Sequence, residues 1–184
     1  MSALLREARA VLASADCLHD GPAVQAAYDR LAAQLAREYQ DKNALFLCVM
    51  IGGLAPTVEL TRRLRFPFEL DYLHATRYRG QTSGGGLVWK AHPSQALKDR
   101  HVLVIDDILD EGHTLLAIQQ ALREQAPASL RTVVLADKRH GRRASGADAE
   151  FIGLEVEDRY VFGCGMDYKG YFRQLPEIWA VKGA

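Results

Sequence analysis

One stretch near the middle of the chain, residues 102–114, constrains the fold more than any other. Residues 102–105 are four consecutive aliphatic residues, which is typical of a strand that is buried on both faces. Two adjacent carboxylates, Asp106 and Asp107, follow directly, and Gly112 comes just before a segment with apolar residues at helical spacing. A buried strand that leads through an acidic turn into a helix predicts an α/β fold with a mainly parallel sheet.

The rest of the chain repeats this alternation of helical and strand patterns. Apolar spacing predicts helices in the first forty residues and in 114–124, with a further amphipathic segment through Leu64. Strands are predicted at the apolar runs 44–50, 68–74, 101–105, 131–136, 150–155, 160–164 and 178–181. Because no linker interrupts the pattern, residues 1–184 are expected to form a single domain with helices flanking the sheet.

Charge and composition exclude several classes of partner. Lys plus Arg equals Asp plus Glu at 23 each, so the net charge favours neither nucleic acid nor an anionic membrane. The sequence has no long uninterrupted apolar run, and its three cysteines form no CxxC pair. We therefore expect a cytoplasmic protein with no nucleic-acid or membrane partner, in which any anion is bound by a local loop.

The acidic turn combines groups that suit a sugar phosphate. Adjacent carboxylates at a strand end can accept hydrogen bonds from vicinal sugar hydroxyls or hold hydrated magnesium. The helix start after Gly112 offers free main-chain N–H groups and the positive end of the helix dipole, and Thr114 can add a hydroxyl donor. A single carboxylate could equally be an ordinary helix cap, but the whole arrangement predicts a ribose 5-phosphate site.

On these residues the chain resembles the type I phosphoribosyltransferases, and its motif order is similar to the hypoxanthine-guanine branch. The resemblance runs from about residue 20 to the end, and it implies that family's fold with a small hood from the N-terminal and C-terminal segments. It also implies transfer of the 5-phosphoribosyl group of phosphoribosyl pyrophosphate to N9 of an oxopurine with Mg²⁺, giving IMP or GMP in purine salvage. Hypoxanthine, guanine and xanthine all stay open as bases, and a homodimer or homotetramer is expected.

The resemblance also assigns roles within the acidic turn. Asp110 is expected beneath N7 of the purine as the catalytic proton-transfer residue. Asp106 and Asp107 are expected to hold the ribose hydroxyls and the associated magnesium. The turn expected around the 5-phosphate consists of Glu111, Gly112, His113 and Thr114. Because a side-chain carboxylate disfavours a phosphate, Glu111 is expected to contribute its main-chain N–H and to point its side chain outward.

Residues further along resemble the base-binding part of the same branch. Lys138 is expected to donate to the 6-oxygen, which favours an oxopurine over adenine because an ammonium has no acceptor; a solvated lysine is the alternative. Tyr160 is expected to stack on the purine and the main chain of Val161 to read its edge, although Tyr160 and Tyr168 could be plain core aromatics. Asp167 is expected beside the base as the ligand of a second magnesium.

The pyrophosphate side is the least typical part of the pattern. Ile51 stands before Gly52 where many relatives have Lys, so main-chain donors are expected to face pyrophosphate there, and core packing of Ile51 is the alternative. Arg173 matches an arginine on the same side. Residues 76–86 are polar and Gly-rich and predict a mobile loop. The resemblance implies that it is the family's closing loop and that Tyr78 helps to cover the site; an ordinary surface loop is the alternative.

Two other kinds of protein remain as alternatives. A regulatory protein could keep this fold and bind nucleotide or RNA without catalysis, although zero net charge and the intact acidic motif count against it. A phosphoacceptor domain also places acids at strand ends, but it gives no reason for Gly112-His113-Thr114 directly after them. The P-loop pattern GxxxxGK[ST] does not occur, which excludes a P-loop NTPase. Arg142 is left open between a pyrophosphate contact and an exposed charge.

Overall fold

A computed structural model describes residues 2–77 and 87–183. The helices within these residues are α1 (Ala3–Ser14), α2 (Gly21–Tyr39), α3 (Leu54–Thr61) and α4 (His113–Arg123). The strands within the same residues are β1 (Asp16–His19), β2 (Ala44–Val49), β3 (Glu69–Arg77), β4 (Leu87–Ala91), β5 (His101–Leu109), β6 (Ser129–Lys138), β7 (Phe151–Val156), β8 (Val161–Phe162) and β9 (Ile178–Ala180). Helices and strands alternate, which confirms the predicted α/β class.

Six of the strands form the central sheet in the order β4-β3-β2-β5-β6-β7. All neighbouring pairs are parallel except β3 and β4. The core has one apolar cluster on each face: Phe46 of β2 packs with α2 residues, whereas Leu45 and Leu47 pack with α4 residues. Every residue of β2 is buried, because a strand covered on both faces needs apolar side chains in both directions.

The chain changes its winding direction between two adjacent strands of this sheet. From β2 it passes through α3 to β3 on one side, and from β5 it passes through α4 to β6 on the other. Loops at the carboxyl ends of such a strand pair diverge and leave a crevice, which is where open α/β sheets bind ligands. The crevice is bordered here by residues 50–53 after β2 and by the acidic stretch of β5.

A second, smaller sheet confirms the hood that the resemblance implied. It has the strand order β1-β9-β8, with antiparallel pairs, and Ala8 of α1 packs beneath it against Phe162 and Tyr168. The prediction of helix throughout the first forty residues was wrong at Asp16–His19, because this segment pairs with β9 from the far end of the chain. N-terminal and C-terminal segments thus form one layer.

Three other boundaries differ from the predictions. β5 runs on to Leu109 instead of ending at Ile105, because its pairing with β6 continues to Asp137. The first residues of the predicted loop 76–86 belong to β3, while 78–86, with Tyr78, lie outside the described residues. β4 was not predicted. No helix of the described part of the chain has the length and apolarity needed to cross a bilayer.

Replacing Phe46 by Ala is expected to lower the free energy of unfolding by about 3–5 kcal/mol. The ring is fully buried and stacks on Phe68 with ring centroids 4.6 Å apart, so its removal leaves a cavity in the α2-side core. Urea unfolding measures the change. Leu70→Ala is the control, since Leu70 is 53% exposed and should cost less than about 0.5 kcal/mol; equal losses in the two variants would contradict this account of the core.

Candidate active site

The two adjacent acids of the central motif lie in the second half of β5. Asp106 is opposite Val134 in the register with β6, and Ile108 is opposite Ala136, so Asp107 falls between two paired positions. Asp107 is 8% exposed. The prediction that the strand ends before the acids was wrong. Both carboxylates nevertheless lie at the carboxyl edge of the sheet, beside the crevice, where the prediction placed them.

Two glycines from separate segments close around Asp107. A Cβ atom on Gly52 would overlap the Asp107 carboxylate, and a Cβ atom on Gly165 would overlap the main-chain oxygen of Gly52 and lie 3.0 Å from Asp107 Cβ. The loop after β2, the acid of β5 and the segment at 165 are therefore in direct contact. Ile51 is 53% exposed next to this contact, so the alternative of core packing for Ile51 is wrong.

The environment of the acid pair disfavours two negative charges. Burial, together with the neighbouring Asp107 carboxylate, raises the pKa of Asp106 well above its usual value, and burial also raises the pKa of Asp107. Arg173 lies nearby, with Nη1 3.9 Å from Asp107 Oδ2. A cation or a set of hydroxyl donors at this position would lower the free-energy cost of burying two negative charges.

Asp167 and Arg173 form a second charged group next to the acid pair. Arg173 Nη2 is 2.5 Å from Asp167 Oδ1, and Arg173 Nη1 donates to the main-chain oxygen of Gly165 at 2.5 Å. The main-chain N–H of Gly170 donates to Asp167 Oδ2 at 2.6 Å. These contacts fix the guanidinium and the carboxylate relative to the glycine contact around Asp107.

Asp110 is held by one side chain from the end of β6 and one from the loop after it. Lys138 Nζ lies 2.6 Å from Asp110 Oδ2, and His140 Nε2 lies 2.8 Å from Asp110 Oδ1. Partial burial raises the pKa of Asp110, but the hydrogen bonds from Lys138 and His140 outweigh burial, so the pKa lies below its usual value. Lys138 lies within β6 and is 9% exposed, which makes the alternative of a solvated lysine wrong.

The sequence did not single out His140. It belongs to the polar run 139–143, which predicts an exposed loop, yet its side chain is only 1% exposed. One feature of the sequence could have indicated His140: it lies two residues after a lysine at the end of a strand. A loop that leaves a sheet edge there can fold back on the neighbouring strand. Arg142 pairs with Asp158 through two bonds of 2.7 Å in an exposed position.

An open cavity of about 370 Å³ lies above Asp110. It is lined by Asp107, Ile108, Asp110, Lys138, Tyr160, Val161, Met166 and Asp167. The structure thus brings together all four residues predicted for the base, and it adds Ile108 and Met166, whose apolar side chains gave no functional signal. Tyr160 is 45% exposed and meets the buried ring of Tyr168 edge-on, so of the two tyrosines only Tyr168 is a core aromatic.

The predicted phosphate turn lies next to this cavity at the start of α4. Gly112 has a left-handed backbone with φ of 77°. Within residues 2–77 and 87–183, no side chain caps this helix, so its first main-chain N–H groups have no side-chain acceptor there. The Glu111 side chain is 52% exposed and His113 is also exposed, in keeping with main-chain rather than side-chain contacts to an anion. Thr114 is half-buried in the first turn of the helix.

The fold and these groups together define a class of protein. A doubly wound sheet with acids at the switch point and an uncapped helix start beside them is the architecture of enzymes that bind a sugar phosphate or nucleotide. The chain belongs to the family described as the phosphoribosyl transferase domain, which matches residues 14–169. That match includes every described site residue except Arg173.

Individual relatives agree with the family assignment. The chain is 34% identical to the hypoxanthine-guanine-xanthine phosphoribosyltransferase of Tritrichomonas foetus over 90% of each chain. It is 33% identical to the hypoxanthine-guanine phosphoribosyltransferase of Bacillus subtilis over 88% of this chain and 89% of the relative. A crystal structure of a hypoxanthine phosphoribosyltransferase from Staphylococcus aureus superimposes with a TM-score of 0.85 at 29% identity, with 91% of both chains covered.

Proposed function

We propose that this chain is a hypoxanthine-guanine phosphoribosyltransferase. It transfers the 5-phosphoribosyl group of phosphoribosyl pyrophosphate to N9 of hypoxanthine, guanine or both, and releases pyrophosphate with IMP or GMP, as a single domain of residues 1–184 in the cytoplasm. The observation that carries the proposal is the position of the Asp110–Lys138 pair in the wall of a cavity of about 370 Å³, next to the start of α4 at Gly112. The names of the relatives support the same activity.

The ribose 5-phosphate is expected to lie along the carboxyl end of β5. Its phosphate would accept main-chain N–H donors from the turn of Glu111, Gly112, His113 and Thr114, helped by the dipole of α4. The ribose hydroxyls would donate to Asp106 and Asp107, which relieves the burial cost of both carboxylates. The sugar carbon C1 is then held between the base cavity and the crevice that takes pyrophosphate.

The donor set suits magnesium. Among the residues that the structure describes, no group of three or more His, Cys, Asp or Glu side chains is placed to hold a metal ion. Magnesium is usually held by one or two carboxylates together with substrate phosphates and water, so Asp106 and Asp107 would hold one ion and Asp167 another. The bound ions would neutralise the charge of the departing pyrophosphate.

The pyrophosphate side is supplied by main-chain groups and Arg173. The loop at Ile51 and Gly52 faces the crevice without a side-chain charge, so its N–H groups are expected to contact pyrophosphate. Arg173, already fixed by Asp167, adds the nearby cation. Tyr78, in the segment 78–86 after β3, is proposed to cover the site, and its exclusion of water would protect the electron-poor ribose carbon from hydrolysis.

At the base, Lys138 and Asp110 have separate tasks. The ammonium of Lys138 has three N–H donors, so it can donate to the 6-oxygen of the purine as well as to Asp110. Asp110, held as an anion, accepts the proton that leaves N7 as N9 bonds to the ribose. The ring of Tyr160 stacks on the purine, and the main chain of Val161 meets its edge.

Replacing Lys138 by Gln is expected to lower kcat/KM for hypoxanthine and guanine by about 10- to 100-fold, since a charged hydrogen bond is lost. KM for the base should rise more than KM for phosphoribosyl pyrophosphate, and the preference for oxopurines over adenine should narrow. Initial rates with each base at saturating phosphoribosyl pyrophosphate measure both effects. Lys98→Gln, at an exposed position, serves as the matched control, and an unchanged base preference in Lys138→Gln would count against its role.

The most direct test of the proposal is a panel of bases assayed with phosphoribosyl pyrophosphate and Mg²⁺. Hypoxanthine, guanine, xanthine and adenine are compared, and nucleotide and pyrophosphate are both quantified. We expect nucleotide formation with hypoxanthine or guanine that stops when Mg²⁺ is chelated. Tight nucleotide binding without turnover of any base would instead favour a regulatory protein with this fold.

A homodimer or homotetramer is also proposed. Ile51, Leu54 and Val58 are apolar and about half exposed on the loop before α3 and on one face of that helix, which is where a second copy would bury them. The double variant Leu54→Glu, Val58→Glu is expected to reduce the molar mass measured by light scattering to that of the monomer. Leu4→Glu on α1 should leave the assembly intact, and an unchanged mass in the double variant would show that another face is used.

A further inference from the structure

The imidazole of His140 is buried behind Asp110, outside the base cavity. Its Nε2 atom lies 2.8 Å from Asp110 Oδ1, and its Nδ1 atom accepts the main-chain N–H of Arg142 at 3.0 Å. Because a main-chain N–H can only donate, Nδ1 must present its lone pair, and the neutral ring therefore carries its proton on Nε2. In this tautomer His140 donates a hydrogen bond to Asp110.

The two donors on Asp110 differ in how freely they can move. Lys138 lines the base cavity, and its task in the proposed function draws its ammonium toward the purine oxygen. His140 is 1% exposed, is bonded at both ring nitrogens and does not line the cavity. It can therefore keep hold of one carboxylate oxygen of Asp110 while Lys138 is shared with the base.

We infer that His140 is a positioning residue, which fixes the orientation of the Asp110 carboxylate beneath the purine by donating from Nε2. The inference rests on the proposed function, because it gives Asp110 its task with N7. As N9 bonds to the ribose and the bond from C1 to pyrophosphate breaks, the N7 proton passes to Asp110. His140 takes no proton in this step, since Nε2 already holds one and Nδ1 is occupied by the N–H of Arg142.

The other charged groups around Asp110 do not replace this contact. Glu111 is the next residue, and its exposed carboxylate has no hydrogen to donate to Asp110. The Arg142 guanidinium is bonded to Asp158 and lies in solvent. When Lys138 also donates to the purine, His140 is the remaining side chain that donates only to Asp110 among those that the structure describes.

A matched pair of substitutions separates the two contacts of the ring. The amide nitrogen of His140→Gln can reach the position of Nε2 and donate to Asp110, whereas the amide oxygen of His140→Asn replaces Nδ1 and accepts the N–H of Arg142. His140→Ala removes both contacts. Initial rates with hypoxanthine and guanine are measured from acid to neutral pH, and calorimetry establishes that each variant is folded.

The expected result has three parts. His140→Ala and His140→Asn lower kcat by about 10- to 100-fold, as for the loss of one charged hydrogen bond, and leave KM for phosphoribosyl pyrophosphate within about threefold. The acid limb of kcat/KM for the base moves to higher pH in both, because Asp110 loses a donor that favours its anion. His140→Gln recovers most of the lost activity and the acid limb of the original enzyme.

The opposite pattern overturns the inference. If His140→Asn behaves like the original enzyme and His140→Gln like His140→Ala, the ring only supports the loop at Arg142. Failure of the proposed function would be seen separately, as absence of nucleotide formation by the unmodified chain with every base. In that case ¹⁵N NMR of labelled histidine still decides the arrangement: a proton on Nε2 of His140 supports it, and a proton on Nδ1 refutes it.

Discussion

Replacing Asp110 by Asn is expected to lower kcat for hypoxanthine and guanine by about 10²- to 10⁴-fold, the range for loss of a positioned proton-transfer group. The amide fits the same space but cannot take the N7 proton. Its hydrogen bonds also change, since an amide NH₂ cannot accept from Lys138 or His140, whereas both carboxylate oxygens do so in the original chain. KM for phosphoribosyl pyrophosphate should change little, because the sugar phosphate is held by other residues.

The acid limb of the pH profile gives a second measurement on Asp110. Its pKa lies below the usual value because hydrogen bonds from Lys138 and His140 outweigh partial burial, so the carboxylate should stay ionised, and the enzyme active, to lower pH than an ordinary aspartate would allow. The control is Asp29→Asn, the same chemical change on α2 at a side chain that is 70% exposed. A kcat for Asp110→Asn within about threefold of the original would mean that the N7 proton leaves by another route.

Replacing Gly112 by Val is expected to lower kcat/KM for phosphoribosyl pyrophosphate by about 100-fold or more, since several main-chain donors to the 5-phosphate move together. Gly112 has a left-handed backbone that disfavours a branched side chain by about 1–2 kcal/mol. A Cβ atom would in addition overlap the Cβ of Ala147 and lie 3.0 Å from Leu109 Cδ1. The turn from β5 into α4 must therefore shift.

Gly146→Val separates backbone strain from loss of the phosphate turn. Gly146 also has a positive φ, of 84°, but the nearest atom to an added Cβ is Leu116 Cδ1 at 3.9 Å. This control should reduce stability by about 1–2 kcal/mol and leave KM for phosphoribosyl pyrophosphate within about twofold. Soaking crystals of the original chain with a purine mononucleotide locates the phosphate. A phosphate bound away from residues 111–114, or equal kinetics in the two variants, would contradict the assignment.

The parts of the fold that the sequence predicted are those that depend on local pattern. The runs that became β2 and β5 are apolar throughout because both faces are covered, and the helical spacing of α2 and α4 reflects one buried side. β1 and β4 escaped prediction for a non-local reason. β1 pairs with β9, more than 150 residues away, and β4 is an edge strand whose pattern follows a Gly-rich segment.

The residues of the candidate site also divide into those that the local sequence pattern predicted and those that it did not. The acids of β5 and the helix start at Gly112 are contiguous, so their chemistry was visible in the sequence. His140 was not, because its burial results from the loop after β6 folding back on Asp110, and a polar run carries no sign of that contact. Ile51 was open between core and crevice, because an apolar residue directly after a buried strand fits either place, and in the structure its side chain is 53% exposed.

The contact of Gly52, Gly165 and Asp107 constrains how this sequence can change. A side chain at Gly52 collides with the acid, and a side chain at Gly165 collides with the main chain of Gly52, so a change at one position does not make room for a change at the other. The two positions should therefore not compensate for each other: no pair of single steps leads to a tolerated double replacement. A mutant library aimed at altered base choice would keep both glycines and diversify Ile108, Tyr160 and Met166 instead.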